Sequence, residues 1–263
     1  MNCEIVLRNI HKFLIHYIKE HDVLSLVVGV SGGIDSALIC AISGIPCEKC
    51  DIPLIGVHLP SSTNQNDEIE RARLVGRAFC TEFHEIFIDE IFHQMKGFLG
   101  YPDNKIRLGN CKARIRMIKL YDVAKATSGL VLSTDNLTEL NLGFWTLHGD
   151  VGDLGLIQNL WKTEVYELAQ YMVDDGIEEL KSSPETRANA LVSCIKATPT
   201  DGLGITNSDL DQIGVESYEE VDKILQSESE DFNNPVVLRH FSTSFKRENP
   251  VNISRDIIFK EVI

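Results

Sequence analysis

A short apolar run, Leu24-Ser25-Leu26-Val27-Val28-Gly29-Val30, passes directly into Ser31-Gly32-Gly33-Ile34-Asp35-Ser36 and then into Ala37-Leu38-Ile39-Cys40-Ala41-Ile42. A nearly continuous apolar strand of this length suits burial on both faces, as in a parallel sheet covered by helices. The two glycines let the turn adopt positive φ and let a ligand approach the backbone. The helix that follows points its free N–H groups and the positive end of its dipole into the turn, which favours an anion. Ser31 and Ser36 add hydroxyl donors, a chemistry that fits a pyrophosphate. Asp35 would repel a bare phosphate, and makes sense facing a Mg²⁺ that bridges phosphates. The competing interpretation is a tight turn with an Asp/Ser helix cap. The turn is neither G-x-x-x-x-G-K-[ST] nor G-x-G-x-x-G.

The rest of the chain alternates in the same way. Residues 4–19 read as a helix with Ile5, Ile10, Phe13, Leu14 and Ile18 near one face, His11 and His16 taking surface or capping roles. Residues 52–59, 84–88 and 129–132 read as strands, and 66–79, 91–99, 110–126 and 163–173 as helices, the 110–126 helix carrying a basic face. This predicts right-handed crossovers and an α/β fold, a doubly wound, Rossmann-like parallel sheet with flanking helices. Beyond residue 176 the pattern weakens: 182–186 and 198–207 are polar or turn-rich, 217–225 reads as an acidic helix and 227–234 as an exposed linker. With no internal repeat and no sharp boundary, residues 1–263 are expected to form a single domain.

Against 25 Lys and Arg stand 39 Asp and Glu, a formal charge of −14, which disfavours a broad nucleic-acid interface. A small anionic ligand needs only a few local cations or amides. No apolar run approaches the ~20 residues of a membrane span, and the N-terminus lacks a signal-type core. A cytoplasmic location is expected, with the seven cysteines mostly reduced and the Cys47-Glu48-Lys49-Cys50 pair ordinary loop cysteines.

Ser31-Gly32-Gly33-Ile34-Asp35-Ser36 resembles the S-G-G-x-D-S loop of the ATP pyrophosphatases, which cleave ATP between the α- and β-phosphates. Further segments narrow the resemblance to NAD synthetases. Gly109-Asn110-Cys111-Lys112-Ala113-Arg114-Ile115-Arg116-Met117 is similar to that family's G-N-x-x-A-R-x-R-M helix. Ser133-Thr134-Asp135-Asn136-Leu137-Thr138-Glu139, with Gly143-Phe144, Thr146 and Gly149-Asp150, is similar to its G-T-x-N/H-x-[ST]-E…G-[FY]-x-T-x-x-G-D block, and Leu160-Trp161-Lys162-Thr163-Glu164-Val165 to its L-x-K-x-x-V segment. Weaker likenesses lie at Leu59-Pro60, Pro199-Thr200 and Lys246-Arg247. Only residues 1–30 precede the first motif, too few for the amidase domain of the glutamine-dependent type, so the ammonia-dependent type is expected.

The resemblance implies two steps. The nicotinate carboxylate of deamido-NAD attacks the α-phosphate of ATP and expels pyrophosphate; ammonia then displaces AMP to give NAD. It implies that Gly29, Val30, Ser31, Gly32, Gly33, Ile34, Asp35 and Ser36 hold the ATP phosphates, with Thr134, Lys162 and Thr200 also contacting ATP. Asp35 and Lys162 would be catalytic, Asp35 and Glu139 would bind Mg²⁺, and Arg114, Asp153 and Lys246 would bind deamido-NAD. A homodimer is implied, with the deamido-NAD site partly built across its interface. Phe144 or Trp145 could stack on the nicotinate ring, although packing is the commoner role. The chain also departs from the pattern. Leu147-His148 stand where the family carries Lys and an aromatic, the glycine-rich stretch after Gly149-Asp150 is one residue shorter, and Phe245 precedes Lys246-Arg247 in place of His. The alternatives are another ATP pyrophosphatase, such as a GMP synthetase-like or other adenylating ligase, and a non-catalytic nucleotide sensor.

Overall fold

The structure is a computed structural model that describes residues 1–101, 103–174, 184–198 and 209–260. In chain order the elements are α1 (Cys3–Glu20), β1 (Leu26–Gly29), α2 (Ile34–Cys50), β2 (Leu54–His58), α3 (Asn66–Phe79), β3 (Glu82–Glu85), α4 (Asp89–Phe98), α5 (Lys105–Ala126), β4 (Leu130–Ser133), α6 (Leu137–Leu142), β5 (Leu154–Gly155), α7 (Lys162–Asp174), α8 (Pro184–Ile195), α9 (Asp209–Ile213), α10 (Tyr218–Gln226), α11 (Pro235–Ser242), α12 (Ser244–Arg247) and α13 (Arg255–Ile258). The five strands form one parallel sheet in the order β3-β2-β1-β4-β5. The chain winds outward from β1 through β2 to β3, then returns to β4 on the other side of β1. The loops after β1 and β4 therefore lead apart, and open a crevice at the carboxyl ends of those two strands.

Helices cover both faces, which is why β1 and β2 need no polar alternation. Leu26 and Val28 pack with α2, α7 and α8 in the larger core, and Val27, Ile55 and Val57 pack against α5 in a second one. A third cluster joins Leu142 of α6 to Ile213, Val221 and Val236 of α9, α10 and α11. Helix α2 is buried almost all round from Ser36 to Gly44, as a helix apolar on every side must be.

Several expectations are corrected here. Cys47 and Cys50 lie in α2, not in a loop: the helix runs through Pro46. A proline removes the N–H that would bond the carbonyl four residues back. That carbonyl is Ile42's, and the His11 ring of α1 comes close to it, its pKa lowered by burial and partly raised by this carbonyl. On α1 the core face is Cys3, Leu7, Leu14 and Ile18, while Ile5 and Phe13 are exposed. The third strand sits two to three residues earlier than 84–88. The basic face of α5 is partly turned inward: Lys112 is buried, and its Nζ donates to the Thr63 hydroxyl at 2.6 Å.

Candidate active site

A cleft of about 490 Å³ opens at the divergence of the β1 and β4 loops. The residues from Gly29 to Ser36, with Thr134, Glu139, Lys162 and Lys246, line it. Of the two loop glycines only Gly32 takes positive φ, +85°; Gly33 is extended and caps α2. A Cβ on Gly32 would stand 2.4 Å from the Glu68 carbonyl oxygen, so α3 packs directly on the loop. Arg71 donates from Nε to the Gly32 carbonyl at 3.1 Å, and the Cys194 thiol reaches the same oxygen at 3.4 Å. Ser36 is 2% exposed, and its hydroxyl serves the loop: it accepts the Ser31 N–H and donates to the Gly33 carbonyl. Its contribution is the shape of the turn, within which the Ser31 and Gly33 N–H groups donate to the Ser36 and Ser31 hydroxyls.

The charged groups converge from three helices. Asp35 stands in the first turn of α2, Glu139 in the first turn of α6 and Lys162 at the start of α7. Lys162 Nζ donates to Asp35 Oδ2 at 2.5 Å and to Glu139 Oε1 at 3.0 Å, with its side chain 3% exposed. Asn136, absent from the sequence-level site, completes the set. Its side chain caps α6 by accepting the Glu139 N–H and donates to Asp35 Oδ1 at 2.8 Å. Burial lowers the pKa of the Lys162 ammonium, but the Asp35 and Glu139 charges overcome that and hold it well above the usual lysine value. Burial and the Asp35 charge push Glu139 up to about 8. Near neutral pH Glu139 therefore keeps its proton in large part, and a cation placed beside it would favour the ionised carboxylate. Nearby, burial pushes Asp135 up to about 7, with its carboxylate accepting from the Ser133 hydroxyl.

At the far end the cations rest on carbonyls. Lys246 of α12 donates to the Gly143 and Trp145 carbonyls at 2.6 and 2.5 Å, and Arg239 of α11 donates to the Leu142 carbonyl at 3.1 Å. Their charges lie over the Trp145 and Phe144 rings, at 5.5 and 4.6 Å from the centroids. Arg116, also lining the cleft, donates to the Leu59 carbonyl at 2.9 Å. Neither Arg116 nor Arg239 had been singled out from the sequence. The G-N-x-x-A-R-x-R-M segment contains the first; the second carries no motif signal.

Two expected residues lie outside the cleft lining. Arg114 donates to the Leu147 carbonyl at 3.1 Å and borders a separate groove. The Asp153 carboxylate accepts the Val131 N–H at 2.9 Å and the Tyr121 hydroxyl at 3.2 Å. Thr200 and most of the turn-rich segment around it fall outside the described residues.

The NAD synthase family model matches residues 6–253. The chain belongs to the NAD synthase family. The NH(3)-dependent NAD(+) synthetase of Syntrophomonas wolfei is 36% identical over 236 residues, 86% of each chain. That of Thermoplasma acidophilum is 35% identical, covering 76% of this chain and 75% of the relative. Among solved structures, an NMN synthetase from Francisella tularensis superposes with a TM-score of 0.82 at 24% identity, covering 97% of this chain and 99% of that one. The NH3-dependent NAD synthetase of Campylobacter jejuni superposes at 0.71 with 23% identity, covering 97% and 100%. The last two likenesses establish the fold of a NAD synthase family member; the sequence relatives establish the family.

Proposed function

We propose that this NAD synthase family member amidates deamido-NAD with ammonia at the expense of ATP, releasing AMP and pyrophosphate. The observation that carries the reading is the cluster of buried Lys162 with half-buried Asp35 and Glu139 at the mouth of the glycine turn, where β1 and β4 diverge. The ammonia-dependent character is supported by curated relatives whose lengths match this chain.

In the first step an oxygen of the nicotinate carboxylate bonds the α-phosphorus, and the bond to the bridging oxygen breaks. Pyrophosphate leaves with that electron pair. No protein nucleophile is required; positioning and charge stabilisation suffice. The turn amides, Thr134 and Thr200 would hold the phosphates, with Lys162 balancing the charge that develops on them. In the second step nitrogen bonds the activated carbonyl carbon, the carbon–oxygen bond to AMP breaks and the nitrogen loses a proton. Exclusion of water from the cleft would protect the acyl adenylate.

The donor set fits Mg²⁺. Asp35 and Glu139 offer hard carboxylate oxygens, a cation between them would favour the ionised form of Glu139, and Mg²⁺ typically takes one or two carboxylates plus substrate phosphates. Bound there, the ion would neutralise polyphosphate charge and polarise the α-phosphorus. Lys246, Arg114 and Asp153 are assigned to deamido-NAD.

The whole chain is read as one synthetase domain that works as a homodimer. Exposed Ile86, Phe87, Ile91 and Ile118 line a groove of about 610 Å³ between α4 and α5, with Arg114 on its border. A second copy docking there would bring Arg114 and the Leu147 loop to the interface. Ile118→Asp should convert a dimer to a monomer in sedimentation and raise KM for deamido-NAD. The seven free thiols support a reducing, cytoplasmic setting. Among the described residues no helix is long and apolar enough to cross a membrane.

The deciding experiment incubates the protein with ATP, Mg²⁺, ammonium and deamido-NAD. NAD, AMP and pyrophosphate are expected in equal amounts. A parallel arm offers nicotinate mononucleotide, the acid that an NMN synthetase would amidate. Turnover of that acid alone would overturn the dinucleotide assignment, and ATP binding without cleavage in either arm would overturn catalysis.

A further inference from the structure

Helix α10 contributes no residue to the motifs above, yet it buries two side chains one turn apart against the charge cluster. Asp222 is 2% exposed. Its Oδ1 accepts the Thr138 hydroxyl at 2.5 Å and its Oδ2 accepts the Thr163 N–H at 3.0 Å. The Thr138 hydroxyl oxygen in turn accepts the Lys162 N–H at 2.8 Å. Thr138 immediately precedes Glu139, so one carboxylate ties the first turn of α6, which carries Glu139, to the first turn of α7, which carries Lys162. Four residues before Asp222, the Tyr218 ring lies 5.5 Å from the Lys162 ammonium, measured to its centroid.

A buried carboxylate persists only where its lone pairs are occupied, and a negative charge at a helix N-terminus is favourable. Those facts explain how Asp222 is tolerated but not why the cap is remote. Helix starts are ordinarily capped by the residue just before them. Here Trp161, the residue before α7, has no side-chain oxygen, Glu164 reaches back only to the Trp161 N–H at 2.9 Å, and the Lys162 and Thr163 N–H groups go to Thr138 and Asp222 instead. Asp222 arrives from 59 residues away and engages two helices together. What it adds is a fixed spacing between them.

We infer that α10 is the positioning element of the charge cluster: Asp222, acting through Thr138 and the backbone of residues 162–163, sets Lys162 against Glu139, and the Tyr218 ring backs the Lys162 side chain. Neither residue touches the reacting atoms. The inference rests on the assignment of Lys162 to the adenylation step. A misplacement of about 1 Å in such a group costs on the order of 10²-fold in rate.

The test is a double-mutant cycle on AMP formation from ATP, deamido-NAD, Mg²⁺ and ammonium. Asp222→Asn keeps the shape but turns an amide NH₂ toward one of the two donors. It should lower kcat about 10- to 100-fold and leave KM for ATP within about two-fold. Combined with Lys162→Ala it should add almost nothing, because the clamp acts through Lys162. Losses that multiply would mean that Asp222 serves stability alone and would overturn the inference. Should Asp222→Asn fail to fold, Thr138 gives the answer: Thr138→Val should lower kcat about ten-fold, and Thr138→Ser, which keeps the hydroxyl, should recover most of that. Equal losses in both, or none in Thr138→Val, would refute the clamp. Likewise Tyr218→Leu should lose more kcat than Tyr218→Phe. An inactive wild type would remove the amidation reading and this inference together, whereas an active wild type with multiplicative losses removes the inference alone.

Discussion

The two ends of the cleft treat positive charge differently. At the α2–α6–α7 end, Lys162 is held between two carboxyl groups, those of Asp35 and Glu139. At the α11–α12 end, Lys246, Arg239 and Arg247 donate to the carbonyls of Gly143, Leu142 and Asn141. A carbonyl satisfies hydrogen bonds without cancelling charge, so Lys246 keeps a field that the Asp150 charge only tempers. In a chain of net charge −14 this is a local reversal of sign. On the proposed function, the first end places a charge during reaction and the second attracts an anionic acceptor. Substitutions at the first end should therefore act on kcat, and at the second on KM for deamido-NAD.

The largest expected effect is Asp35→Ala. It removes one carboxylate of the proposed Mg²⁺ pair and leaves the Asn136 amide and Lys162 without their shared partner. AMP release should fall by about 10³-fold or more; near-normal turnover would break the comparison outright. Next is Gly32→Ala. Its positive φ and the 2.4 Å approach of the Glu68 carbonyl force either the loop or α3 to move. Strain of about 1–3 kcal/mol should appear as a lower Tm, with ATP affinity weakened about ten-fold.

Lys246→Met should raise KM for deamido-NAD about ten-fold while leaving kcat and KM for ATP close to wild type. Its pH dependence has a definite sign. Burial, then the Arg239 charge, lowers the Lys246 pKa. As pH rises the ammonium loses its proton earlier than an ordinary lysine, and an anion-binding charge disappears. In the wild type KM for deamido-NAD should therefore climb on the alkaline side, starting below the usual lysine range, and in Lys246→Met this climb should be absent. The smallest effect is Leu147→Lys, which restores a cation where the related pattern has one. It should lower KM for deamido-NAD about two- to five-fold without changing kcat, a gain expected of one partly screened charge.

Much of the first end was legible in the chain. The run from Leu24 to Ile42 already contained a buried strand, a turn that needs glycine and a helix start, because each is a local property of a few residues. Asn136 was missed although its signal is local: Asn136 and Glu139 form a capping box, which reads as a helix start and hides the amide's second bond to Asp35. The end of α2 was misjudged: Pro46 is a breaker by local rules, yet the helix runs through it to Cys50. The edge strand β3 was displaced in register since its burial alternates weakly and its sequence is polar. Arg239 and Asp222 lie where periodicity is blurred, and their partners are 97 and 84 residues away.

By itself, the amino-acid order determined the parallel α/β architecture and the glycine turn between β1 and α2, since strand burial, glycine dihedrals and short motifs are written within a few consecutive residues; that Asp35, Glu139 and Lys162 share a site followed only from the family resemblance. Only the tertiary structure decided which charges are cancelled and which stay open: Lys162 met carboxylates, Lys246 met carbonyls, and Asp222 came to hold two helix starts at once. Those outcomes depend on the distance between groups far apart in the chain, and electrostatic energy is set by that distance and by the dielectric around it.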